Sequence, residues 1–596
     1  MRNALRPALV LLLAAGIVGG FGLAQSRPEP RASRQARQEL REHEEAHAKR
    51  VLSLTRAIQR GSEIPVLPVE GEARGVDVLA YDLSFSLDPA VKYLEGRNAI
   101  RISGVAASTS SLAIDFDGAY ELVETSRDGR PVTPLTREGS RLVIPLDPPV
   151  RREERATLAI AFKGVPPSYS GLQFLDTGSG FVATSQAEPF EARTFWPCVD
   201  DPSDRAVTTV HATVPDGYVV ASAGLASTVA APGGRITTTW RLPQPISTYL
   251  VSLNVGPYVT LEDTYTALDG VTTMPLISYL LPSHREMNRV RIADFRRQMQ
   301  VQASLFGEYP YLDSKYGVVE SIWSGGMEHP TMTSIGTAQL GNPTRNLTFL
   351  FVHELSHQWW GDHVTMRTWD DLFLNEGFAT YAEVLFDERA NGANPGLVLS
   401  TTYDDGLYAG ALAHQVVAPV DEPFRFTGSV YRKGAYALHM LRRRVGDEVF
   451  FAALRAYGVK HGNGNASRAD LRADFEAESG IDLKSFFDQW IETPFRPILR
   501  ATFQNRADGS ARIVLSQRQT HAVVHPQTGS GDVTFYRFPL TIRLRFGDGS
   551  TRDEHVEVTE RDQTFDFPNT LARPVAGIVL DPNGDVLKSV EATGPA

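Results

Sequence analysis

Residues 353–381 read HELSHQWWGDHVTMRTWDDLFLNEGFATY. His353 and His357 are four positions apart, so on a helix both imidazoles project from one face, a turn apart. At that spacing they can share one small cation, and imidazole suits zinc well. Glu354 stands beside them but points elsewhere, placed to accept a proton from water at the metal rather than to bind the metal. A catalytic zinc needs a third protein ligand and an open position. Glu376, eighteen intervening residues after His357, opens a second helical stretch, NEGFATYAEVLFDERA (375–390). The loop between is long enough for this stretch to fold back on the first, completing a two-histidine, one-glutamate site. A bare HExxH also arises by chance, with its histidines merely capping or bonding on a helix; for the pentapeptide alone both readings stand.

Helical periodicity extends to either side. REMNRVRIADFRRQMQVQASLFG (285–307), NLTFLFVHELSHQWWGD (346–362) and AYALHMLRRRVGDEVFFAALRAYG (435–458) are too long for strands and carry apolar faces at helical spacing. Upstream the period changes. In DVLAYDLSFSLDP (77–89), Tyr81, Leu83, Phe85 and Leu87 alternate with polar residues, as in a half-buried strand. RNAIRIS and RLVIPL continue that style, and residues 76–260 read as an all-β domain. Alternation returns after residue 500, where Leu540, Ile542, Leu544 and Phe546 lie on one side of FPLTIRLRFGDGS. Its Gly-Asp-Gly turn leads into HVEVTE, which predicts a hairpin in a terminal β-sandwich over 501–596. The fold class is therefore multidomain α+β, with a mainly helical domain (261–500) between two β regions.

The chain starts with a short basic segment, MRNALR, and an apolar run, PALVLLLAAGIVGGFGLA. With Gly22 and Ala24 as small residues before the cut, residues 1–24 read as a signal peptide cleaved after Ala24. Export to a periplasmic or extracellular location follows. The alternative is an uncleaved anchor over residues 8–24, since the run is nearly long enough to span a bilayer. Residues 25–75 turn from an Arg-, Glu-, Gln- and Ala-rich solvated helix to a Pro- and Gly-bearing linker.

Composition narrows the partners. At 596 residues the chain is too long for one core. A net charge of −11 without a basic block excludes a phosphate-tracking groove, so nucleic acid is not an expected partner. No membrane contact is expected beyond the alternative anchor. Cys198 is the single cysteine and forms no internal disulfide; a catalytic Cys–His pair is the rival reading of it. His363, His414, His439 and His461 lack ligand spacing and read as surface or helix-packing residues. Glu383 lies seven residues beyond Glu376 on a similar helical face, placed either to orient a metal ligand or to be a solvated carboxylate.

The stretch at 353–381 closely resembles the zinc motif of the M1 metallopeptidases, the gluzincin aminopeptidases with a thermolysin-like catalytic domain. GGMEHP (325–330) resembles that family's exopeptidase motif, which places Gly325, Gly326, Met327 and Glu328 at the substrate. Glu328 takes the position that binds the substrate's free α-amine. SQAEPFEARTFWPCVDDPSDRA (185–206) resembles a further family segment, in which Glu188 matches a second amine-binding position and Cys198 the usual structural cysteine. SVYRKGAYALHML (429–441) resembles the motif with the catalytic tyrosine, here Tyr431. The likeness covers about residues 76 to 497. Two departures stand out: His329 replaces the usual Asn, and residues 501–596 read as one β-like region, so the large helical C-terminal domain of many members is not expected here.

The resemblance implies one zinc per chain held by His353, His357 and Glu376, with Glu354 as general base. It further implies Tyr431 as donor to the oxyanion, Glu188 and Glu328 as the amine anchor, and peptides with a free amino terminus as substrates. The rival readings are a zinc endopeptidase of the same fold, in which the anchor matters less, and a non-catalytic interaction protein.

Overall fold

The computed structural model describes residues 74–133, 135–178, 180–403, 426, 428–519, 535–568 and 574–595. The leader, anchor and most of the linker read from residues 1–75 lie outside the described residues, as does His414.

The alternating segments near the start build an eight-stranded sheet. Its order is Leu225–Ala231, Arg235–Ser247, Arg205–Pro215, Val76–Asp88, Tyr93–Gly104, Arg155–Gly164, Glu121–Arg127 and Arg130–Pro131. Val76–Asp88 pairs antiparallel with Tyr93–Gly104 and parallel with Arg205–Pro215. Tyr81, Leu83, Phe85 and Leu87 are all buried, so the period of two places one face of this strand in the core. A four-stranded sheet contains Phe181–Ser185, and the chain leaving that strand carries Glu188 toward the helical half. Cys198 is buried there, its backbone paired with that of Asp115. The Arg205 guanidinium joins the two halves, donating to Pro245 O at 2.6 Å and to Asp362 O at 2.8 Å.

Helices were expected to take over after residue 260. Instead a mixed five-stranded sheet brackets the first helices, two of its strands before them and three after, in the order Val259–Thr266, Thr273–Leu280, Val318–Ser321, Thr333–Gly336 and Gly326–Met327. Its last three strands are two to four residues long and buried throughout, so no alternation marks them. The helical stretches are also more broken than their periodicity predicts. Residues 285–307 form two helices, Arg285–Ala293 and Phe295–Phe306. Residues 435–458 are divided at Gly446, whose φ of 87° ends Gly434–Val445 before Asp447–His461 begins.

The C-terminal region consists of a four-stranded sheet, containing Ile498–Asn505 and Ala511–Gln517, and a three-stranded one centred on Phe538–Phe546. The expected hairpin is present, Phe538–Phe546 pairing antiparallel with Thr551–Val558, and Leu540, Ile542, Leu544 and Phe546 face the core. A turn of this region, residues 583–586, grips the helix Gly434–Val445. Tyr436 donates its hydroxyl to Gly584 O at 2.6 Å, and His439 sits between the Tyr381 hydroxyl at 3.1 Å and the Asp585 carboxylate at 3.2 Å. No helix among the described residues is long and apolar enough to cross a membrane.

Candidate functional site

The helix carrying HExxH spans Thr348–Ser356. Asn346 Oδ1 accepts from Thr348 N at 3.1 Å, satisfying one of the amides left open at its start. Ser356 turns its hydroxyl back onto His353 O at 2.8 Å in the last turn. His357 is the first residue beyond the helix, yet its φ and ψ of −59° and −22° remain helical, so it stays a turn away from His353 on the same face. The chain then reverses through Trp359, Trp360 and Gly361. A β-carbon at Gly361 would overlap Asn375 Oδ1, so only glycine lets the loop pass. A 3₁₀ run, Trp369–Leu374, leads into the helix Glu376–Asn391, which packs back on the first as its spacing predicts.

The ligand atoms of His353, His357 and Glu376 lie within 4.8 Å of one another, all buried. Glu376 Oε2 is 3.1 Å from His353 Nε2 and 3.6 Å from His357 Nε2. The other ring nitrogens are engaged elsewhere: His353 Nδ1 with Glu383 Oε1 at 2.8 Å, His357 Nδ1 with Trp360 O at 3.0 Å. Those bonds fix both tautomers and aim both Nε2 atoms at the glutamate. Two neutral imidazoles and one carboxylate converging this way fit a zinc ion with one open position. The local field agrees. Burial opposes a charge on His353, but its bonds to Glu376 and Glu383 outweigh that and favour positive charge at this point. Burial likewise opposes charge on Glu376, and the two histidines hold its carboxyl well below the usual range.

Around this cluster lie three more buried carboxylates. Burial pushes the Glu354 carboxyl up to about 8, against the pull of His353 and His357. Glu188 is driven well above the ordinary range, first by burial and then by Glu328, Glu376 and Glu354. Glu328 is raised by burial as well, with His357 opposing and Glu376 adding to the shift. Glu328, Glu354 and His357 also present ligand atoms within 4.8 Å of one another. The site thus concentrates negative charge and calls for cations in two adjoining places.

Gly326 and Met327 form the edge strand of the five-stranded sheet, pairing with Ile335 and Ser334. Gly325, at a φ of 103°, turns the chain into that strand. A β-carbon on Gly326 would overlap Glu354 Oε1, so the GG pair lets backbone lie directly on that carboxylate. The Tyr431 ring is buried and stacks parallel to His353, centroids 6.1 Å apart. His329 is fully buried, its Nδ1 2.9 Å from Ser334 Oγ. His439 and His461 pair with Asp585 and Asp474, away from the cluster. Sequence reasoning passed over Gln358 and Asn375, which touch Glu328 at 3.1 Å each. Both sit next to a ligand in the decisive stretch, but nothing in their own spacing points to Glu328.

Comparison with known proteins gives a consistent picture. Residues 294–490 match the Peptidase family M1 domain and residues 78–250 the Peptidase M1 N-terminal domain. Over 423 residues the chain is 29% identical to aminopeptidase N of Streptomyces lividans, covering 66% of this chain and 48% of that protein. It is 25% identical over 453 residues to probable aminopeptidase 1 of Sulfurisphaera tokodaii, covering 71% and 53%. The chain spans about half the length of these curated relatives. Among solved structures, an M1 zinc metallopeptidase from Deinococcus radiodurans aligns with a TM-score of 0.63 and 28% identity, over 71% of this chain and 95% of that one. A mutant of that protein has been solved with a Tyr-Ser-Ala substrate bound. Legionella pneumophila aminopeptidase A shares the fold at a TM-score of 0.73 and 19% identity, over 87% of this chain and 60% of that one.

Proposed function

The chain belongs to peptidase family M1, and from that premise we propose that it is a zinc-dependent aminopeptidase. It removes the first residue from peptides with a free amino terminus. The observation that carries this reading is the pairing of two cation-seeking groups of buried side chains: His353, His357 and Glu376 for a metal, Glu188 and Glu328 for an ammonium.

Zinc held by His353, His357 and Glu376 would polarise the scissile carbonyl and lower the pKa of attacking water. Glu354, adjacent to the ligands and pressed under the Gly326 backbone, takes the water's proton and returns it to the leaving amine. Tyr431 donates its hydroxyl to the developing oxyanion, a contact that strengthens as charge builds. Glu188 and Glu328 pair with the α-ammonium and fix the first residue in register. The edge strand Gly326–Met327 receives the substrate backbone. Export, read from residues 1–24, belongs to the same proposal; amino-terminal sequencing of the native protein should begin at Gln25.

The test is a panel of amino-acid arylamides and matched N-acetylated peptides, run with and without chelator. Acetylation removes the cation that Glu188 and Glu328 face. It should cost about 3 kcal/mol or more, roughly two orders of magnitude in kcat/KM. Comparable cleavage of free and acetylated peptides would overturn the aminopeptidase reading in favour of an endopeptidase.

A further inference from the structure

Two buried amide side chains hold opposite ends of Glu328. Gln358 Nε2 donates to Glu328 O at 3.1 Å, and Asn375 Nδ2 donates to Glu328 Oε1 at 3.1 Å. Gln358 directly follows His357, and Asn375 directly precedes Glu376. Each brace therefore starts one peptide unit, about 3.8 Å from Cα to Cα, from a different residue of the metal cluster. From these contacts we infer that Gln358 and Asn375 are positioning residues that lock the amine anchor to the metal frame and so set cleavage at one residue. The inference rests on the aminopeptidase reading above.

Gln358 holds the anchor loop at more than one point. Its Oε1 accepts from Thr331 N at 2.7 Å and from the Tyr309 hydroxyl at 3.1 Å, and its Nε2 also donates to Asp362 Oδ2 at 2.8 Å. Thr331 stands at a φ of 62°, a conformation that a β-branched residue rarely adopts. Gln358 is one clamp on it; Gly224 N, donating to Thr331 Oγ1 at 2.8 Å, and Lys315 Nζ, donating to Thr331 O at 3.1 Å, are others. Strain of this kind persists only where the surroundings over-determine it. The turn after Glu328 is thus held to one shape by several clamps, one of them the residue that follows His357.

The length of the gap makes this matter. Ligand atoms of Glu328 and His357 lie within 4.8 Å of each other. One extended residue advances at most about 3.6 Å and two about 7 Å, so an ammonium on Glu328 leaves room for a single residue before the metal. A drift of Glu328 by one residue's advance would admit a dipeptide register. Asn375 fixes the carboxylate and Gln358 the backbone, which blocks that drift from both ends.

The experiment uses the full chain with Asn375→Ala, Asn375→Asp and Gln358→Met. Zinc content, calorimetric binding of amino-acid amides against their N-acetyl forms, kcat/KM for matched peptides, and product length by mass spectrometry are read. Metal content should stay at one per chain. The free-to-acetylated ratio should fall by about tenfold or more, as expected for loss of one bond to a buried charge or its support. The change should lie mainly in KM, and dipeptide release should appear. Asn375→Asp, nearly isosteric, keeps the test decisive if Asn375→Ala does not fold. In a Glu328→Ala background, Asn375→Ala should shift the ratio by less than about twofold, because it acts through Glu328. Equal losses on both substrates, additive effects in the double variant, or loss of metal overturns the bracing. A wild-type protein that does not distinguish free from acetylated substrates fails the aminopeptidase reading itself; discrimination that survives in all three variants fails the bracing alone.

Discussion

Glu383 Oε1 lies 2.8 Å from His353 Nδ1, seven residues along the helix that Glu376 begins. One helix therefore presents a carboxylate to each nitrogen of the same imidazole. The sequence left Glu383 open between support of a ligand and a solvated carboxylate; it is fully buried, which removes the second reading. Glu383→Ala should weaken zinc affinity by about 10- to 100-fold, because the ring loses the acceptor that fixes its tautomer. Competition with a chelator of known affinity measures this, and unchanged affinity would contradict it.

Glu354→Gln should retain stoichiometric zinc while kcat falls by about a hundredfold to ten-thousandfold, since water loses its proton acceptor. Gly326→Ala should resemble it. The added methyl collides first with Glu354 Oε1, and its three nearest neighbours all belong to Glu354. Zinc content and kcat measured together decide; a Gly326→Ala protein with normal turnover would show that the carboxylate has room to move.

Tyr431→Phe keeps the ring stacked on His353 and removes only the hydroxyl. A fall in kcat of about a hundredfold, with little change in ground-state binding, is expected if that hydroxyl meets the oxyanion. A change confined to KM would make it a substrate-positioning group instead.

His329 supplies a pH prediction. Burial depresses its pKa to about 3, against an ordinary value near 6.5. Below pH 6.5 the unfolded chain binds a proton there that the folded chain refuses, so stability is lost as pH falls from about 6.5 toward about 3. Above that window the residue contributes no slope. The limiting slope from this one group is about 1.4 kcal/mol per pH unit. His329→Asn, which restores the residue usual in the family motif, should flatten the loss. Denaturant melts of both proteins at pH 7 and pH 5 test this; parallel losses would assign the acid sensitivity to other groups.

What the sequence disclosed depended on how local the information was. His353, His357 and Glu376 were legible because a helical turn and a fold-back need only spacing along the chain. Tyr81 through Leu87 gave a strand through its period of two, and Leu540 through Phe546 gave the hairpin in the same way. The short strands Val318–Ser321 and Gly326–Met327 have no such signature, being buried throughout and too short to alternate. Gln358 and Asn375 stayed hidden because their role depends on a contact across 30 and 47 residues of chain. The support for His357 Nδ1 is the carbonyl of Trp360, a group every residue carries, so no choice of side chain announces it.

The grip of residues 583–586 on the Tyr431-bearing side of the molecule separates two ways of failing. Gly584 and Asp585 hold Tyr436 and His439, on the helix that follows Tyr431, through hydrogen bonds that involve neither histidine of the metal cluster. Heat or a protease that first detaches the C-terminal sheets would release the tyrosine's support while leaving His353, His357 and Glu376 assembled. Inactivation would then run ahead of metal loss, and a chain that has stopped turning over would still carry its zinc.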